Sequence, residues 1–313
     1  MRLDRRTLLR GTGAAGLVLG LGAATAVGAD RRSAGSGVTT DLTVAGGELY
    51  GSFTRFARLL AGELRGREAV GRVSVTSSAG SVANLALLRS GEADLALALA
   101  DSLAGDPTGI AAVARLYQTT LHCLVRADSP IRSVVDLSGR TIAVGLPGSG
   151  TEETARRLLC PRVDLALRAA TQTDGAIALA GGRVDAMLWW GGQPSPELAS
   201  LSRTHPLRAI DLGDLVDAEV GAGSAYQSVR LPSDVWGQAD DVRTAGVAVL
   251  LLCRTGLGDD AVRTVVDTLF TAKAQLVPQP SGGLQYLAPA SLIDTFPADL
   301  HPAAVARYRQ RHG

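Results

Sequence analysis

Hydrophobic and polar positions alternate along this chain in a repeating order of strand-like and helix-like segments. Short apolar runs, or strict alternation, predict strands, and apolar residues spaced three and four apart predict helices. The order strand, helix, strand, helix, strand indicates a mainly parallel sheet with crossover helices. In the first part of the chain, the predicted strands are Asp41–Ala45, Arg72–Ser77 and Ala93–Ala98, and the predicted helices are Phe53–Leu64 and Ser81–Ser90.

The same order recurs further along the chain. A helix end, a glycine, an aspartate and a buried strand follow one another around Asp94 and again, with the same internal spacing, around Asp185. This repeat indicates two similar α/β lobes. The predicted strands here are Arg140–Gly145 and Val184–Trp189, and the predicted helices are Thr151–Leu159 and Asp174–Ala180.

Two longer apolar runs, Thr120–Val125 and Gly246–Cys253, flank the second of these lobes. They predict two strands that cross between the lobes, followed by helices at about 259–276 and 302–311. A chain of this kind leaves the first lobe, builds the second and returns, which creates a hinged cleft suited to a ligand. We predict an α/β protein with lobe 1 at 41–122, lobe 2 at 123–246 and a return to lobe 1 at 247–313.

Residues 1–29 have the features of an export signal. Arg5 and Arg6 precede two leucines, and a weakly apolar stretch of small residues, Gly13–Val27, follows. This predicts a twin-arginine signal and an extracytoplasmic protein, with residues 30–40 as a flexible leader. No cysteine follows the apolar stretch, which argues against a lipoprotein anchor. An uncleaved anchor remains an alternative.

The composition excludes several functions. With 31 basic and 30 acidic residues among 313, the chain has no charge surplus that would suit nucleic acid. The four histidines are not spaced with other metal ligands, and no Gly-x-Ser-x-Gly nucleophile motif is present. We therefore predict binding without chemistry, with no catalytic residue, metal or cofactor.

The three cysteines, Cys123, Cys160 and Cys253, form no disulfide framework. Cys123 and Cys253 both lie in or beside the predicted crossing strands. A bond between them across the hinge is one hypothesis, and two buried free thiols are the alternative.

Two loops rich in glycine and serine each join a predicted strand to a predicted helix. In the second loop, Ser149, Gly150 and Thr151 offer hydroxyl and backbone N–H donors that suit an anion. The lysine of a nucleotide-binding P-loop is missing, so we reject nucleotide hydrolysis. The first loop, Ser77–Asn84, has the same context. One loop in each lobe favours a carboxylate held between helix ends, although capped helices without a ligand are an alternative.

The predicted strand that ends at Trp189 is followed by Trp190, Gly191, Gly192 and Gln193. In parallel α/β sheets, ligands bind beyond the carboxyl ends of the strands. Neighbouring strand residues point to opposite faces, so one tryptophan is expected to line the cleft and the other the core. A core position for both is the rival interpretation.

Several segments in this order resemble the TAXI family, the extracytoplasmic solute receptors of TRAP-type transporters. The likeness covers roughly residues 41–311 and rests on Gly80–Leu97, Leu121–Ile131, Asp136–Arg140 and Val144–Thr151. The resemblance implies a type II periplasmic-binding fold that closes on a small carboxylate, such as glutamate, a related amino acid or a dicarboxylate, and delivers it to a TRAP membrane permease. Seven positions match cleft-lining positions of that family: Ser78, Ser81, Asn84, Asp101, Ser149, Gly150 and Thr151.

The first loop, Gly47–Phe53, departs from the family pattern. Tyr50 replaces a glycine, and Phe53 stands where the resemblance implies a ligand-facing tyrosine. A changed hydrogen bond at such a place alters ligand preference strongly, so the ligand stays open. Two other functions stay open as well: a sensory module that signals to a membrane kinase, and a cleft enzyme that uses Asp101 and Glu48 as acids.

Overall fold

The computed structural model describes residues 39–103, 105–221, 223–279 and 283–312. The predicted export signal and nearly all of the predicted leader lie outside these residues. Within the described ranges, no helix combines the length and the apolar character needed to cross a membrane.

Ten strands of the described chain form one mixed sheet. They are β1 (Thr40–Ala45), β2 (Val70–Thr76), β3 (Leu95–Leu99), β4 (Ile110–Arg126), β5 (Arg140–Val144), β6 (Leu165–Ala169), β7 (Ala186–Gly191), β8 (Leu207–Ala209), β9 (Tyr226–Leu231) and β10 (Val242–Arg254). Their order is β2-β1-β3-β10-β4-β7-β5-β6, with β8 paired to β4 and β9 paired to β10.

Helices connect the strands in the described ranges. They are α1 (Ser52–Leu64), α2 (Ser81–Ser90), α3 (Gly150–Thr154), α4 (Gln172–Ala180), α5 (Pro196–Ser202), α6 (Gly213–Glu219), α7 (Asp259–Thr271) and α8 (Pro302–His312). The core lies along the middle of the sheet, where every residue of β3 is buried. A strand covered on both faces has no need for polar alternation, which explains its continuous apolar run.

The two longest strands, β4 and β10, join the halves of the sheet. Residues 249–253 of β10 pair with β3 in the first half, whereas residues 242–247 pair with β9. β4 pairs with β10 up to Thr120 and then with β7 up to Leu124. The prediction of an α/β protein with two crossing strands is therefore confirmed. The predicted lobe limits fall inside these two strands. Lobe 1 below denotes the β2-β1-β3 side of the sheet and lobe 2 the β7-β5-β6 side.

Most predicted elements occur within a few residues of their expected limits. Helix α2 ends where predicted because Gly91 adopts a left-handed conformation, with φ +77°, as its C-cap. The helix predicted from 151 to 159 is α-helical only as far as Thr154 and continues as one π-helical turn, Ala155–Leu159. The long apolar strand predicted from Thr120 begins ten residues earlier, at Ile110.

The repeat around Asp94 and Asp185 has a structural cause. The Oδ2 atom of Asp94 accepts a 2.9 Å hydrogen bond from the amide of Thr43, and Oδ2 of Asp185 accepts one of 2.9 Å from the amide of Thr141. In return, the amides of the two aspartates donate to the carbonyls of the same threonines, at 2.9 and 2.8 Å. Each aspartate thus joins the start of a buried strand to the neighbouring parallel strand of its own lobe.

The hypothesis of a Cys123–Cys253 bond is wrong. All three cysteines are free, with Cys123 and Cys253 buried and Cys160 exposed. Cys253 lies opposite Ala111 of β4, whereas Cys123 lies twelve residues further along the same strand. At a strand rise of ~3.3 Å per residue, the two thiols are roughly 40 Å apart.

Candidate functional site

A cavity lies at the carboxyl ends of the parallel strands and is lined by both lobes. Lobe 1 contributes the loop after β1, the start of α2 and the last residue of β3. Lobe 2 contributes the loop after β5 and the end of β7, and the crossing strand β4 forms the remaining wall with Tyr117 and Thr119. This position agrees with the general location of ligand sites in α/β sheets.

The loop after β1 is held in place by Thr54, a buried residue near the start of α1. The Thr54 hydroxyl accepts a hydrogen bond from the amide of Gly47 and donates one to its carbonyl, both at 2.9 Å. This anchor directs Glu48 and Phe53 into the cavity. Tyr50 behaves differently: it is 77% exposed and lines a neighbouring cavity instead.

At the start of α2, Ser81 is buried and lines the cavity. Its Oγ accepts a 3.0 Å hydrogen bond from the amide of Leu99, which ties the helix to the end of β3. A hydroxyl that accepts in this way keeps its own hydrogen available for a ligand.

Two other predicted site residues of lobe 1, Ser78 and Asn84, lie outside the cavity lining. The Asn84 side chain is fully buried and donates to the carbonyls of Gly46 and Leu97. Ser78 donates a 2.6 Å hydrogen bond to the Oδ1 atom of Asn84. Both side chains therefore connect α2 to the neighbouring strands. Their hydrogen-bonding groups are used within the protein and do not face a ligand.

The loop of lobe 2 brings Ser149, Gly150 and Thr151 to the cavity. Ser149 is the N-cap of α3, where its Oγ accepts a 3.1 Å hydrogen bond from the amide of Glu152. The Glu152 carboxylate in turn accepts from the amide of Gly148, at 2.9 Å. This reciprocal pair is a capping arrangement. Ser149 is therefore both the cap of α3 and part of the cavity wall, and the two interpretations do not exclude each other.

The two glycine-rich loops touch each other across the lobes. A Cβ atom added to Gly80, whose φ is +133°, would lie 3.3 Å from Cα of Ser149. A Cβ atom added to Gly150 would lie 2.5 Å from Leu99 Cδ1 and 2.8 Å from the Oγ of Ser81. The predicted position of an anion between the two helix ends is therefore filled by protein, and the cavity lies beside that contact.

Asp101, another predicted site residue, is fully buried and lies outside the cavity lining. Its Oδ2 atom accepts hydrogen bonds from the hydroxyls of Thr154, at 2.9 Å, and Tyr226, at 2.7 Å. A guanidinium nitrogen of Arg157 lies 3.7 Å away. Burial raises the pKa of the Asp101 carboxyl, and these three partners act in the opposite direction. Of the two acids that the enzyme alternative names, Glu48 lines the cavity and Asp101 does not.

Both tryptophans at the end of β7 line the cavity, and Trp190 is also buried in the hydrophobic core, so the predicted division between cavity and core holds in part. The indole N–H of Trp190 donates a 3.0 Å hydrogen bond to the hydroxyl of Thr154. Its ring also stacks on Tyr226 at 6.4 Å between centroids. Since Thr154 and Tyr226 both bond to Asp101, the buried carboxylate positions Trp190 in the cavity wall.

Gln193 is the last predicted site residue, and it lies apart from the cavity. Its side-chain amide donates a 2.7 Å hydrogen bond to the hydroxyl of Thr120, and the residue lines a different cavity that also includes Arg115. Of the predicted set, the structure brings together Phe53, Ser81, Ser149, Gly150, Thr151 and Trp189.

Sequence reasoning missed the contribution of β4 to the cavity. Tyr117 and Thr119 alternate on the strand and face the same side, as residues two apart do. The sequence predicts this strand only from Thr120 onward, so it places Tyr117 and Thr119 in no element. The polar residues Tyr117, Gln118 and Thr119 interrupt the apolar run, and this interruption is the available signal of a lining segment.

Glu48 is the one acidic or basic side chain among the described residues that line this cavity. Its Oε2 atom accepts a hydrogen bond of 3.4 Å from the amide of Gln172, the first residue of α4 in lobe 2. Burial raises the pKa of the Glu48 carboxyl, the contact with Gln172 lowers it, and the charge of Asp174 raises it. Among the described residues, no group of three or more His, Cys, Asp or Glu side chains is arranged to hold a metal ion.

Known structures and a known family resemble this chain. A structure described as a periplasmic transporter is 11% identical, with a TM-score of 0.53, and the match covers 86% of this chain and 94% of that one. XAC2383 from Xanthomonas citri, bound to ATP, is 15% identical, with a TM-score of 0.50 and coverage of 87% and 95%. At such identities the likeness shows the fold alone, and the predicted periplasmic-binding fold is confirmed. A model described as the NMT1-like family matches residues 43–311, and the chain belongs to this family.

Proposed function

We propose that this protein is an extracytoplasmic solute-binding receptor that captures a small carboxylate by closing its two lobes. The observation that carries the proposal is the shared cavity, in which residues from both lobes and from the crossing strand β4 face one space. A ligand in that space contacts both lobes at once only in the closed form. Those contacts supply the free energy that favours closure.

The polar groups of the cavity suit one anionic end of a small ligand. Ser81, Ser149 and Thr151 line the cavity and offer hydroxyl groups beside the contact between the two loops. The aromatic side chains provide an apolar wall for the rest of the molecule. This combination of a mostly apolar pocket with a few polar groups is typical of small-molecule sites.

We further propose that the receptor is of the TAXI type and delivers its ligand to the membrane permease of a TRAP-type transporter. Support comes from the sequence resemblance over roughly residues 41–311, from the shared fold, and from the relative described as a periplasmic transporter. An amino acid or a dicarboxylate is the ligand class that the resemblance implies. The twin-arginine signal proposed at residues 1–29 would carry the protein out of the cytoplasm.

The test is ligand-dependent stabilisation of the purified chain. We would record thermal unfolding with glutamate, glutamine, other amino acids, dicarboxylates and oxo-acids in turn. A ligand present at ~100 times its Kd adds about 2.7 kcal/mol to the free energy of unfolding. Stabilisation by at least one small carboxylate is expected, and the absence of stabilisation by every one of them would overturn the proposal.

Tryptophan fluorescence gives an independent measurement of the place of binding. Trp189 and Trp190 line the cavity, whereas Trp236 is buried beside His122. A ligand in the cavity should change the emission of the chain and of a Trp236→Phe variant alike. The change should shrink strongly in Trp189→Phe, because that indole contacts the cavity directly.

A further inference from the structure

Two arginine side chains converge on one backbone oxygen in lobe 2. The Nη1 atom of Arg132 donates a 2.8 Å hydrogen bond to the carbonyl oxygen of Ser129, and the Nη2 atom of Arg208 donates one of 3.0 Å to the same oxygen. Because both nitrogens contact one atom, they lie within about 6 Å of each other, so two positively charged groups are side by side and repel. Arg132 and Arg208 are called the arginine pair below.

The arginine pair lies at the opposite end of lobe 2 from the cavity. Arg208 belongs to β8, where it is paired with Val125 near the end of β4. Strand β4 runs antiparallel to β7, so this end of β4 lies beside the start of β7, whereas the end of β7 lines the cavity. Neither arginine lines the cavity. A site at the arginine pair is therefore separate from the proposed ligand site.

No ion pair among the described residues involves either member of the arginine pair. At the same end of the lobe, Arg126 pairs with Asp128 at 3.5 Å, and Arg140 pairs with Asp185 at 3.7 Å. These two neighbouring arginines have their counter-ions within the protein. The arginine pair, in contrast, carries two positive charges that no carboxylate of the described chain contacts.

Asp136 is an acid close to Arg132, and the loop itself uses it. Its Oδ2 atom accepts hydrogen bonds from the amides of Arg132 and Ser133 and from the hydroxyl of Ser133, all at 2.9 Å. These contacts fold the loop and form no ion pair with a guanidinium of the described chain. Burial lowers the pKa of the Arg208 guanidinium, and the charge of Arg132 acts in the same direction.

The protein holds Arg208 in place through the backbone. Its Nη2 atom also donates to the carbonyl of Ile131, and the amide of Ile131 donates a 3.3 Å hydrogen bond to the Ser129 hydroxyl. In the described chain, the buried Nε atom of Arg208 has no hydrogen-bond partner, and its Nη1 atom bonds to no residue either. A partly buried cation with an unused donor gains from an anion that accepts from it.

We propose that the arginine pair is a binding site for a divalent oxyanion, such as phosphate or sulfate, separate from the cleft of the proposed receptor. Two unpaired positive charges match a dianion, whereas chloride or a monocarboxylate would compensate only one of them. Guanidinium groups are planar and present several N–H donors, which fit phosphate oxygens. Free phosphate and the headgroup of a phospholipid both present this chemistry. The inference does not depend on which ligand the cleft binds.

The test is calorimetric titration of the purified chain with millimolar sodium phosphate or sodium sulfate, with sodium chloride at equal ionic strength as the reference. Arg132→Gln is the main variant, because Arg132 is exposed and its removal keeps the backbone contacts of Arg208. Its oxyanion affinity should fall about tenfold or more through the loss of a charge-assisted hydrogen bond. The matched control is Arg72→Gln, an exposed arginine of β2 in lobe 1, which should bind like the unaltered chain.

Thermal unfolding gives a second measurement. Without an oxyanion, Arg132→Gln should unfold at the same temperature as the unaltered chain or a higher one, because one of two like charges is gone. Phosphate should raise the unfolding temperature of the unaltered chain and of Arg72→Gln more than that of Arg132→Gln. An equal rise in all three proteins is the general effect of an excluded salt and overturns the proposal, as does unchanged oxyanion affinity in Arg132→Gln.

Vesicles distinguish the two sources of phosphate. Co-sedimentation is measured with vesicles of phosphatidylcholine alone and of phosphatidylcholine mixed with phosphatidic acid. Binding only to the acidic vesicles, lost in Arg132→Gln, supports the site with a lipid headgroup as its ligand. Binding of the free anions without binding of vesicles supports the site with a soluble ligand. If the unaltered chain binds neither free anion and no acidic vesicle, the proposal is wrong and the receptor proposal stands.

Discussion

The backbone amide of Ala83 donates a 3.0 Å hydrogen bond to the carbonyl oxygen of Gly148, which joins the first turn of α2 in lobe 1 to the loop before α3 in lobe 2. A first-turn amide has no partner within its own helix, and here the other lobe supplies one. The loops that carry the cavity hydroxyls are therefore in direct contact, and the structure shows the lobes closed on each other. The lobe closure proposed above would form this bond, and opening would break it.

Gly150 limits how closely the lobes approach. In Gly150→Ala, the added methyl group would crowd Leu99 Cδ1 and the Oγ of Ser81, and both residues line the cavity. Overpacking of this kind costs about 1–3 kcal/mol, so we expect ligand affinity to fall about tenfold or more. Calorimetry with the ligand found in the thermal screen measures the loss.

The control for Gly150→Ala is Gly62→Ala, in the middle of α1, where an added methyl group meets nothing within 4 Å. That change should leave affinity unchanged and raise the free energy of unfolding by about 0.5–1 kcal/mol through helix propensity. Wild-type affinity in Gly150→Ala would contradict the proposed role of the loop contact.

Ser149 has two roles that substitution can separate. It caps α3 by accepting from the amide of Glu152, and it faces the cavity. Ser149→Ala removes both and should lower the free energy of unfolding by about 1 kcal/mol, whereas Ser149→Gly should cost only a few tenths. Both variants should lose ligand affinity to a similar extent, because both lack the hydroxyl. A variant that lost stability but kept affinity would show that Ser149 acts as a cap only.

Asp101 should affect the cavity without touching the ligand. Asp101→Asn replaces a buried acceptor of the Thr154 and Tyr226 hydroxyls and leaves the guanidinium of Arg157 with a weaker partner. We expect a loss of about 1–3 kcal/mol in the free energy of unfolding. The emission of Trp190, which bonds to Thr154, should also change in the ligand-free protein.

The matched control for Asp101→Asn is Asp128→Asn, whose side chain is 85% exposed and 3.5 Å from Arg126. An exposed ion pair of this kind contributes little to the free energy of unfolding. The urea unfolding curve of Asp128→Asn should therefore overlay that of the unaltered chain. If Asp101→Asn also matched the unaltered chain in stability and in emission, the network around Asp101 would have no positioning role.

His122 should make the stability of the protein depend on pH. Its ring is fully buried, its Nδ1 atom accepts a 3.2 Å hydrogen bond from the indole of Trp236, and burial lowers its pKa to about 4. The unfolded chain takes up the proton near pH 6.5, so between pH 6.5 and 4 the unfolded state binds more protons and stability falls as the pH falls. The contribution of this group should drop by about 2 kcal/mol from pH 7 to pH 5.

Urea unfolding at pH 7 and pH 5 checks this value, with His122→Gln as the comparison. The variant lacks the titrating ring. Between pH 7 and pH 5, its free energy of unfolding should therefore fall by about 2 kcal/mol less than that of the unaltered chain. An identical pH dependence in both proteins would show that His122 does not titrate in this way.

The local pattern of the sequence was sufficient to locate most of the secondary structure. Alternation and apolar runs place strands and helices within a few residues because each element needs only its own neighbours to define its buried side. The repeated pattern around Asp94 and Asp185 was also visible, since each aspartate lies within a short helix-to-strand turn; its hydrogen bond to the adjacent strand came from the structure. The sequence does not predict the short elements β6, β8, β9, α5 and α6, because a segment of so few residues shows little hydrophobic periodicity.

The candidate site depended on relationships that the linear sequence does not contain. Ser81 and Asn84 lie three residues apart in α2, yet one faces the cavity and the other bonds to strand carbonyls. Asp101 lies outside the cavity lining, where it accepts a hydrogen bond from Tyr226, a residue far along the chain.

By itself, the sequence determined the α/β class, the two-lobed order and the two glycine-rich loops, because these follow from local periodicity and turn chemistry. The tertiary structure alone decided that the loops touch, that β4 supplies Tyr117 and Thr119, and that Glu48 is the charged group of the cavity. The physical reason is that the direction and surroundings of a side chain are set by packing between elements distant in sequence, and no short window of sequence contains both partners.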